Sequence, residues 1–283
     1  MSIEQVSANK MFGGKQIKFK HKSAVLNCDM IFSVYLPPNA KADSKVPVIY
    51  WLSGLTCTDD NFVQKAGAQQ YAAEAGVAIV CPDTSPRGAD VPGDPDKAWD
   101  FGHGAGFYVN ATEAPWSTHY HMYDYVVKEL PAVLAASDLP LDTANCSIMG
   151  HSMGGHGALT IALKNPGIYK AVSAFSPICS PINCPWGEKA LGRYIGSNKA
   201  DWEQYDTCAL LAQAKEKLHI LVDQGQDDGF LVNQLKPELL QAASIASKHP
   251  LTLRLHAGYD HSYFFIASFI ADHIAHHADA LWD

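Results

Sequence analysis

Short apolar runs separated by helix-forming stretches constrain this 283-residue chain more than any other feature of it. Val46–Leu52 is a near-continuous apolar run, and residues 77–80 form another before Pro82-Asp83. A strand that is apolar on both faces needs cover on both, as strands inside a parallel sheet do. Residues 66–75 are helical in composition and stop at Gly76. Residues 120–134 return to helical spacing, with Pro131 bending or interrupting it. Residues 171–175, 218–222 and Leu251–His256 read as further strands, 235–247 as a helix and 264–276 as a final amphipathic helix. Strand alternating with helix to the end predicts an α/β fold, a doubly wound, mostly parallel sheet in a single domain over residues 1–283. Near the N-terminus, residues 15–21 alternate charged and apolar side chains, and residues 30–36 are apolar and β-branched. With Asn27-Cys28-Asp29 between them, they predict an antiparallel pair at the sheet edge, ended by Pro37-Pro38.

One strand end carries chemistry. A short apolar run closes in Gly150-His151-Ser152-Met153-Gly154, and residues 158–163 beyond it are good helix formers. Strand, sharp turn and helix around G-x-S-x-G is the setting of a nucleophile elbow. There the serine holds a strained backbone angle, its Oγ stands clear of the sheet, and the amide of Met153 points at a developing oxyanion. The competing reading is a bland glycine-rich turn.

Composition and charge exclude several functions. A net charge of −8 argues against nucleic acid as a partner. No apolar run approaches the length of a membrane span, and residues 1–5 lack the basic and apolar regions of a secretory signal. The seven cysteines are odd in number and form no C-x-x-C, so neither a disulfide framework nor a zinc site is suggested. A reducing, cytoplasmic setting is expected. His119-Tyr120-His121 has H-x-H form without a third ligand at a persuasive spacing, so no metal is expected.

A serine needs a base to take its proton and a carboxylate to orient that base. In hydrolases built on such sheets the order is Ser, then Asp or Glu, then His. After strand 218–222 comes Asp223-Gln224-Gly225-Gln226-Asp227-Asp228, and after Leu251–His256 comes Ala257-Gly258-Tyr259-Asp260-His261. His261 follows a glycine-bearing loop and opens a helix, whereas His256 is still on the strand and reads as structural. Asp223 stands at a strand end, and spacing alone does not separate Asp227 from Asp228 in the loop beyond. Asp260 reads as the cap of the last helix. Two long irregular stretches, 84–112 and 176–186, read as functional excursions over the strand ends. Trp99, Phe101, Trp116 and Trp186 lie in or beside them, mostly as loop anchors, with Trp186 a candidate wall of an acyl pocket.

The motifs together are far more specific than any one of them. Leu52-Ser53-Gly54-Leu55-Thr56-Cys57-Thr58-Asp59-Asp60-Asn61-Phe62, the elbow through Leu159, Asp223-Gln224-Gly225 with Phe230-Leu231, and Gly258-Tyr259-Asp260-His261-Ser262-Tyr263 resemble the esterase D family, the S-formylglutathione hydrolases. The likeness covers essentially the whole chain. It implies an α/β-hydrolase without a separate cap domain, no cofactor, and a homodimer. It also implies S-formylglutathione as substrate, with side activity on small acyl esters. The family pattern D-Q-G-x-x-D-x-F-L assigns the catalytic aspartate to Asp228, with Ser152 as nucleophile and His261 as base. After the Val46–Leu52 strand, Gly54 allows a tight turn, and the Leu55 amide becomes the second oxyanion donor beside Met153. The resemblance further implies a thiol near the active site, and Cys57 is the nearest in sequence. A buried, inert cysteine is the other reading of that residue. Asp59 and Asp60 read either as solvent-facing caps or as contacts for the substrate's polar end. Lys65, Arg87, Lys189 and Arg193 are the basic residues from which a partner for the substrate's carboxylates is expected. A general carboxylesterase, an acyltransferase and a non-catalytic binding module are the competing functions.

Overall fold

The apolar runs become the centre of one sheet in the computed structural model, which describes residues 2–283. In chain order the strands are β1 (Glu4–Met11), β2 (Gly14–Ser23), β3 (Cys28–Leu36), β4 (Val46–Leu52), β5 (Ala78–Pro82), β6 (Leu141–His151), β7 (Tyr169–Phe175), β8 (Ile220–Gly225) and β9 (Leu251–His256). They lie in the order β1-β2-β3-β5-β4-β6-β7-β8-β9. The run from β1 to β5 pairs antiparallel, and from β5 through β4 to β9 every pair is parallel. All seven residues of β4 are buried, because strands flank it and helices cover both faces. Edge strand β9 is only partly covered.

The expected antiparallel pair forms as β2 and β3, but it is not the edge. Strand β1 lies outside it and was not expected from sequence, because nearly every residue of EQVSANKM is exposed and no apolar alternation marks it.

The helix expected over 66–75 is α2 (Ala68–Ala75), and a further short helix, α1 (Asp60–Lys65), precedes it. Gly67 separates the two with φ 67°, and Gly76 ends α2 as expected. The stretch around Pro131 is α3 (Met122–Asp124), a π turn over 125–129 and α4 (Leu130–Ala135). Proline has no N–H for the carbonyl four residues back, so the helix changes register there.

Helix α5 (Met153–Lys164) follows β6. The stretch 176–186 is less irregular than expected, since α6 (Pro185–Tyr194) begins inside it with proline at its tolerated first position. Helices α7 (Thr207–Gln213), α8 (Pro237–Ser247) and α9 (Tyr263–Trp282) complete the set, α9 running beyond the 264–276 expected.

The core has two layers. Side chains of β4 alternate between them: Val48, Tyr50 and Leu52 belong to the layer that also takes in α4, α5, α7 and α8, whereas Ile49 and Trp51 belong to the layer of α1, α2 and α9. Residues 84–112 carry no regular helix or strand. A buried cluster of Phe101, Trp116, Tyr120 and Tyr194 holds that excursion down, with ring centres 4.5 Å apart for Phe101 and Tyr194.

Candidate active site

Strand β6 ends at His151 and α5 begins at Met153, so Ser152 alone makes the turn. Its backbone lies at φ 58°, ψ −118°, a conformation that costs a residue with a side chain about 1–3 kcal/mol. Three hydrogen bonds hold it there. Ser152 N donates to Phe175 O at 3.0 Å, and Ser152 O accepts from His156 N at 3.0 Å and Ile178 N at 3.2 Å. The strain is therefore imposed by β7, the loop after it and α5. A Cβ on Gly154 would lie 1.9 Å from Leu52 O, so only glycine lets α5 start against the end of β4. The Met153 amide, at the first helical position, has no intrahelical acceptor.

The turn after β4 faces this elbow, for a reason different from the expected one. Positive φ falls at Thr56 (68°), not at Gly54. Glycine at 54 keeps the two turns close, since a Cβ there would crowd Ser152 Cβ at 3.0 Å and push it back by a few tenths of an ångström. The turn is clamped from three sides: Trp51 Nε1 donates to Ser53 Oγ at 2.8 Å, Tyr108 Oη to Ser53 O at 2.9 Å, and Thr56 N to Gly104 O at 2.9 Å.

The loops after β8 and β9 bring the acid and base candidates together. His261 Nδ1 is 2.6 Å from Asp228 Oδ2. Gln224 Nε2 also donates to Oδ2 at 3.3 Å, and Phe230 N donates to Oδ1 at 2.9 Å. The Asp228 carboxylate is fully covered, whereas Asp227 is exposed. Spacing left these two open, and the direction of the loop separates them. With Nδ1 held by the carboxylate, Nε2 is the nitrogen left to receive a proton.

Asp223 is committed elsewhere. It lies inside β8, 2.5 Å from Arg254 and 3.2 Å from both His256 and His273. Burial alone would raise its carboxyl, but His273 and Arg254 outweigh that and hold it well below the usual range. His256 is thus structural, as expected. The expected cap of α9 is displaced by two residues. Ser262 Oγ accepts from Phe264 N at 3.3 Å, while Asp260 braces Ser262 through its amide at 2.9 Å and its hydroxyl at 2.6 Å.

A cavity of about 340 Å³ joins these parts, lined among others by Leu55, Cys57, Ser152, Trp186 and His261. Asp228 stands behind His261, and Met153 is buried below Ser152. Aromatic rings continue the wall. Trp99 meets Trp186 at 5.6 Å, Trp186 meets Phe230 at 4.7 Å, and Phe230 meets the His261 ring edge-on at 5.1 Å. Phe230, Tyr263 and Asn61 also border the cavity without having been singled out as wall residues. Phe230 and Tyr263 stand in the quoted motifs, but nothing in a linear motif says which side chains face inward. Trp99, read as a loop anchor, is half exposed and belongs to the wall.

The flanking residues are equally specific. His151 packs on the His261 ring at 4.4 Å, and burial, then the neighbouring His261, drives its pKa well below the ordinary value, so the ring is neutral. His156 is buried and bonded to Phe107 O at 2.9 Å, with its pKa lowered to about 4 by burial. Burial raises the Cys57 thiol above its usual value, against the opposing pull of Tyr263 and Lys65, so it lines the cavity protonated. Asp59 and Asp60 do not reach the cavity: Asp59 is buried on Ser33 and Lys18, and Asp60 pairs with Lys18 at 2.5 Å. His119 and His121 are spent on the carbonyls of Leu26 and Ser117. Among the described residues no three metal-binding side chains cluster, and no helix is long and apolar enough to cross a membrane.

Comparison with known proteins gives a consistent picture. The family model described as putative esterase matches residues 23–276. The chain is 54% identical to S-formylglutathione hydrolase of Rattus norvegicus over 283 residues, covering 99% of each chain. It is 55% identical to S-formylglutathione hydrolase of Arabidopsis thaliana over 280 residues, covering 99% of this chain and 98% of that one. A solved structure of an S-formylglutathione hydrolase from Agrobacterium tumefaciens superposes with a TM-score of 0.95 at 48% identity, covering 98% of this chain and 99% of that one.

Proposed function

This chain belongs to the putative esterase family, and we propose that it is a serine hydrolase that cleaves the thioester S-formylglutathione to formate and glutathione. The observation that carries the mechanism is the 2.6 Å bond between Asp228 and His261, opening onto the cavity that Ser152 lines. Ser152 Oγ attacks the formyl carbon while His261 Nε2 takes its proton, and Asp228 stabilises the resulting imidazolium. The oxyanion is held by the Leu55 and Met153 amides, both on backbone fixed before substrate arrives. The C–S bond then breaks and glutathione leaves as thiolate, which takes up the proton from the His261 imidazolium and restores the neutral base. With a thiol pKa of about 8.5, this leaving group needs little protonation. His261 next deprotonates a water, which attacks the formyl-serine; as the Ser152 Oγ–C bond breaks, His261 returns that proton to Oγ, and the formic acid released ionises to formate. No cofactor enters these steps. Trp186 closes the acyl end of the cavity, and Cys57 bounds it as a neutral thiol.

The same reading takes residues 1–283 as one domain, supported by a single continuous sheet. It sets the protein in the cytoplasm, in keeping with seven cysteines that are all unpaired, and takes it as a homodimer, as the family resemblance implies. Sedimentation equilibrium of the purified protein tests the last point, and a monomer mass at micromolar concentration refutes it.

The deciding experiment is hydrolysis of S-formylglutathione beside p-nitrophenyl acetate, with Ser152→Ala as control. A strong preference for the formyl thioester, abolished in the variant, is the expected result. Cleavage of the nitrophenyl ester alone would leave a general carboxylesterase.

A further inference from the structure

Two cavities in this molecule share a wall. The one that holds Ser152 runs past Cys57 to Lys65 and Tyr263. A second, of about 620 Å³, opens beside the same two residues and is bounded further by Ser262, Phe264 and Ala267. Any substrate whose acyl carbon meets Ser152 must send the rest of its leaving group out of the smaller cavity, and the shared wall offers a path.

The shared wall carries a charge without a counterion. Lys65 is the exposed last residue of α1, with its ammonium 5.7 Å from the centre of the Tyr263 ring. Among the described residues it is paired with no carboxylate. The other basic residues expected as partners for the substrate are already engaged. Arg87 donates to Asp83 at 2.9 and 3.0 Å, Lys189 reaches Asp100 at 2.5 Å, and Arg193 reaches Asp94 at 2.9 Å. The Lys65 charge also acts inward, opposing the rise of the Cys57 thiol. On the far side of the second cavity the Phe264 side chain is uncovered, at 86% exposure. A cation beside an apolar shelf suits an anionic, peptide-like chain, and it stands out in a protein of net charge −8.

We propose that the second cavity is the subsite for the leaving thiol, with Lys65 meeting one of its carboxylates and Tyr263 and Phe264 packing along its backbone. This inference rests on the thioester reading given above and adds where the anionic thiol lies. An exposed charge pair is worth little by itself, so the subsite sets selectivity and KM and leaves the chemical step alone.

The test compares Lys65→Ala, Lys65→Arg and Ala267→Glu with the wild type on S-formylglutathione and on p-nitrophenyl acetate, whose leaving group carries no carboxylate. The quantity read is the ratio of the two kcat/KM values. Lys65→Ala should lower that ratio about fivefold, mainly through KM. Ala267→Glu, which adds a like charge to the pocket, should lower it about tenfold, and Lys65→Arg should keep it within about twofold. Raising the salt should increase the wild-type KM for the thioester, and Lys65→Ala should lose that dependence. Ratios within about twofold of wild type in both Lys65→Ala and Ala267→Glu overturn the subsite while the thioester reading stands. A wild-type enzyme inert towards S-formylglutathione overturns that reading and this inference with it.

Discussion

Asp228→Asn isolates the electrostatic part of the proposed mechanism, because asparagine keeps the shape of the side chain. Asparagine Oδ1 still accepts from Phe230 N, as the carboxylate does at 2.9 Å. What changes is the group 2.6 Å from His261 Nδ1, which becomes an N–H₂ in place of a carboxylate oxygen. Two losses follow. The imidazolium formed during attack loses a charge partner whose centre is about 4 Å away, worth about 4 kcal/mol at an effective dielectric of about 20. That alone is about a thousandfold in rate. The amide also favours the tautomer with the proton on Nε2, where it cannot accept from serine, and this adds about another tenfold. The expected loss in kcat/KM is therefore about 10³–10⁴-fold, with a wild-type circular dichroism spectrum to show that the fold persists although Gln224 Nε2 loses its acceptor on Oδ2. Asp227→Asn, at the exposed neighbouring position, should stay within about twofold of wild type, as ordinary surface substitutions do. Steady-state kinetics on S-formylglutathione measures both. Retention of more than a tenth of wild-type activity by Asp228→Asn would show that the carboxylate does not serve His261 in the reaction.

Three further outcomes follow from the same backbone and packing. If the Ser152 backbone at φ 58° is strained, Ser152→Gly should be more stable to urea than Ser152→Ala by about 1 kcal/mol although both are inactive, and a less stable glycine variant refutes the strain. Gly154→Ala drives a methyl to within 1.9 Å of Leu52 O; a loss of about 3 kcal/mol is expected in the same assay, and a neutral effect shows that β4 and α5 yield more easily than their packing implies. Asp223→Asn removes one partner of a buried ion pair with Arg254 and should cost about 3 kcal/mol at pH 7. The folded Asp223 carboxyl lies well below its unfolded value of about 3.9. Its contribution is therefore complete above that pH and disappears as the pH falls through the folded pKa. The gap between wild type and variant should narrow below about pH 4, and a gap independent of pH down to about 2 contradicts the assignment.

Much of this site was legible in the chain, and the reasons are local. A both-sides-buried strand such as Val46–Leu52 must be apolar along its length, and the turn at Ser152 needs glycine close by because strand and helix touch there. Those demands fall on neighbours in sequence, so they leave a readable pattern. The order Ser152, Asp228, His261 is legible for a related reason, since parallel strands present their C-terminal loops to one edge in chain order. Strand β1 left no such trace, because hydrogen bonds to β2 hold it and its side chains are exposed.

The remainder was decided by partners far away in the chain. Asp59 and Asp60 look available in sequence, yet Lys18 on β2 claims both. Arg87, Lys189 and Arg193 look as free as Lys65 until the excursion at 84–112 supplies Asp94 and Asp100, and the end of β5 supplies Asp83. Gly54 reads as a turn glycine, but it is the Ser152 side chain opposite that a Cβ there would crowd. A sequence states which groups exist and how their own backbone prefers to run. Which of them remain uncompensated is a property of close approaches between distant segments. Catalysis and binding depend on those uncompensated groups, and the tertiary structure alone selects them.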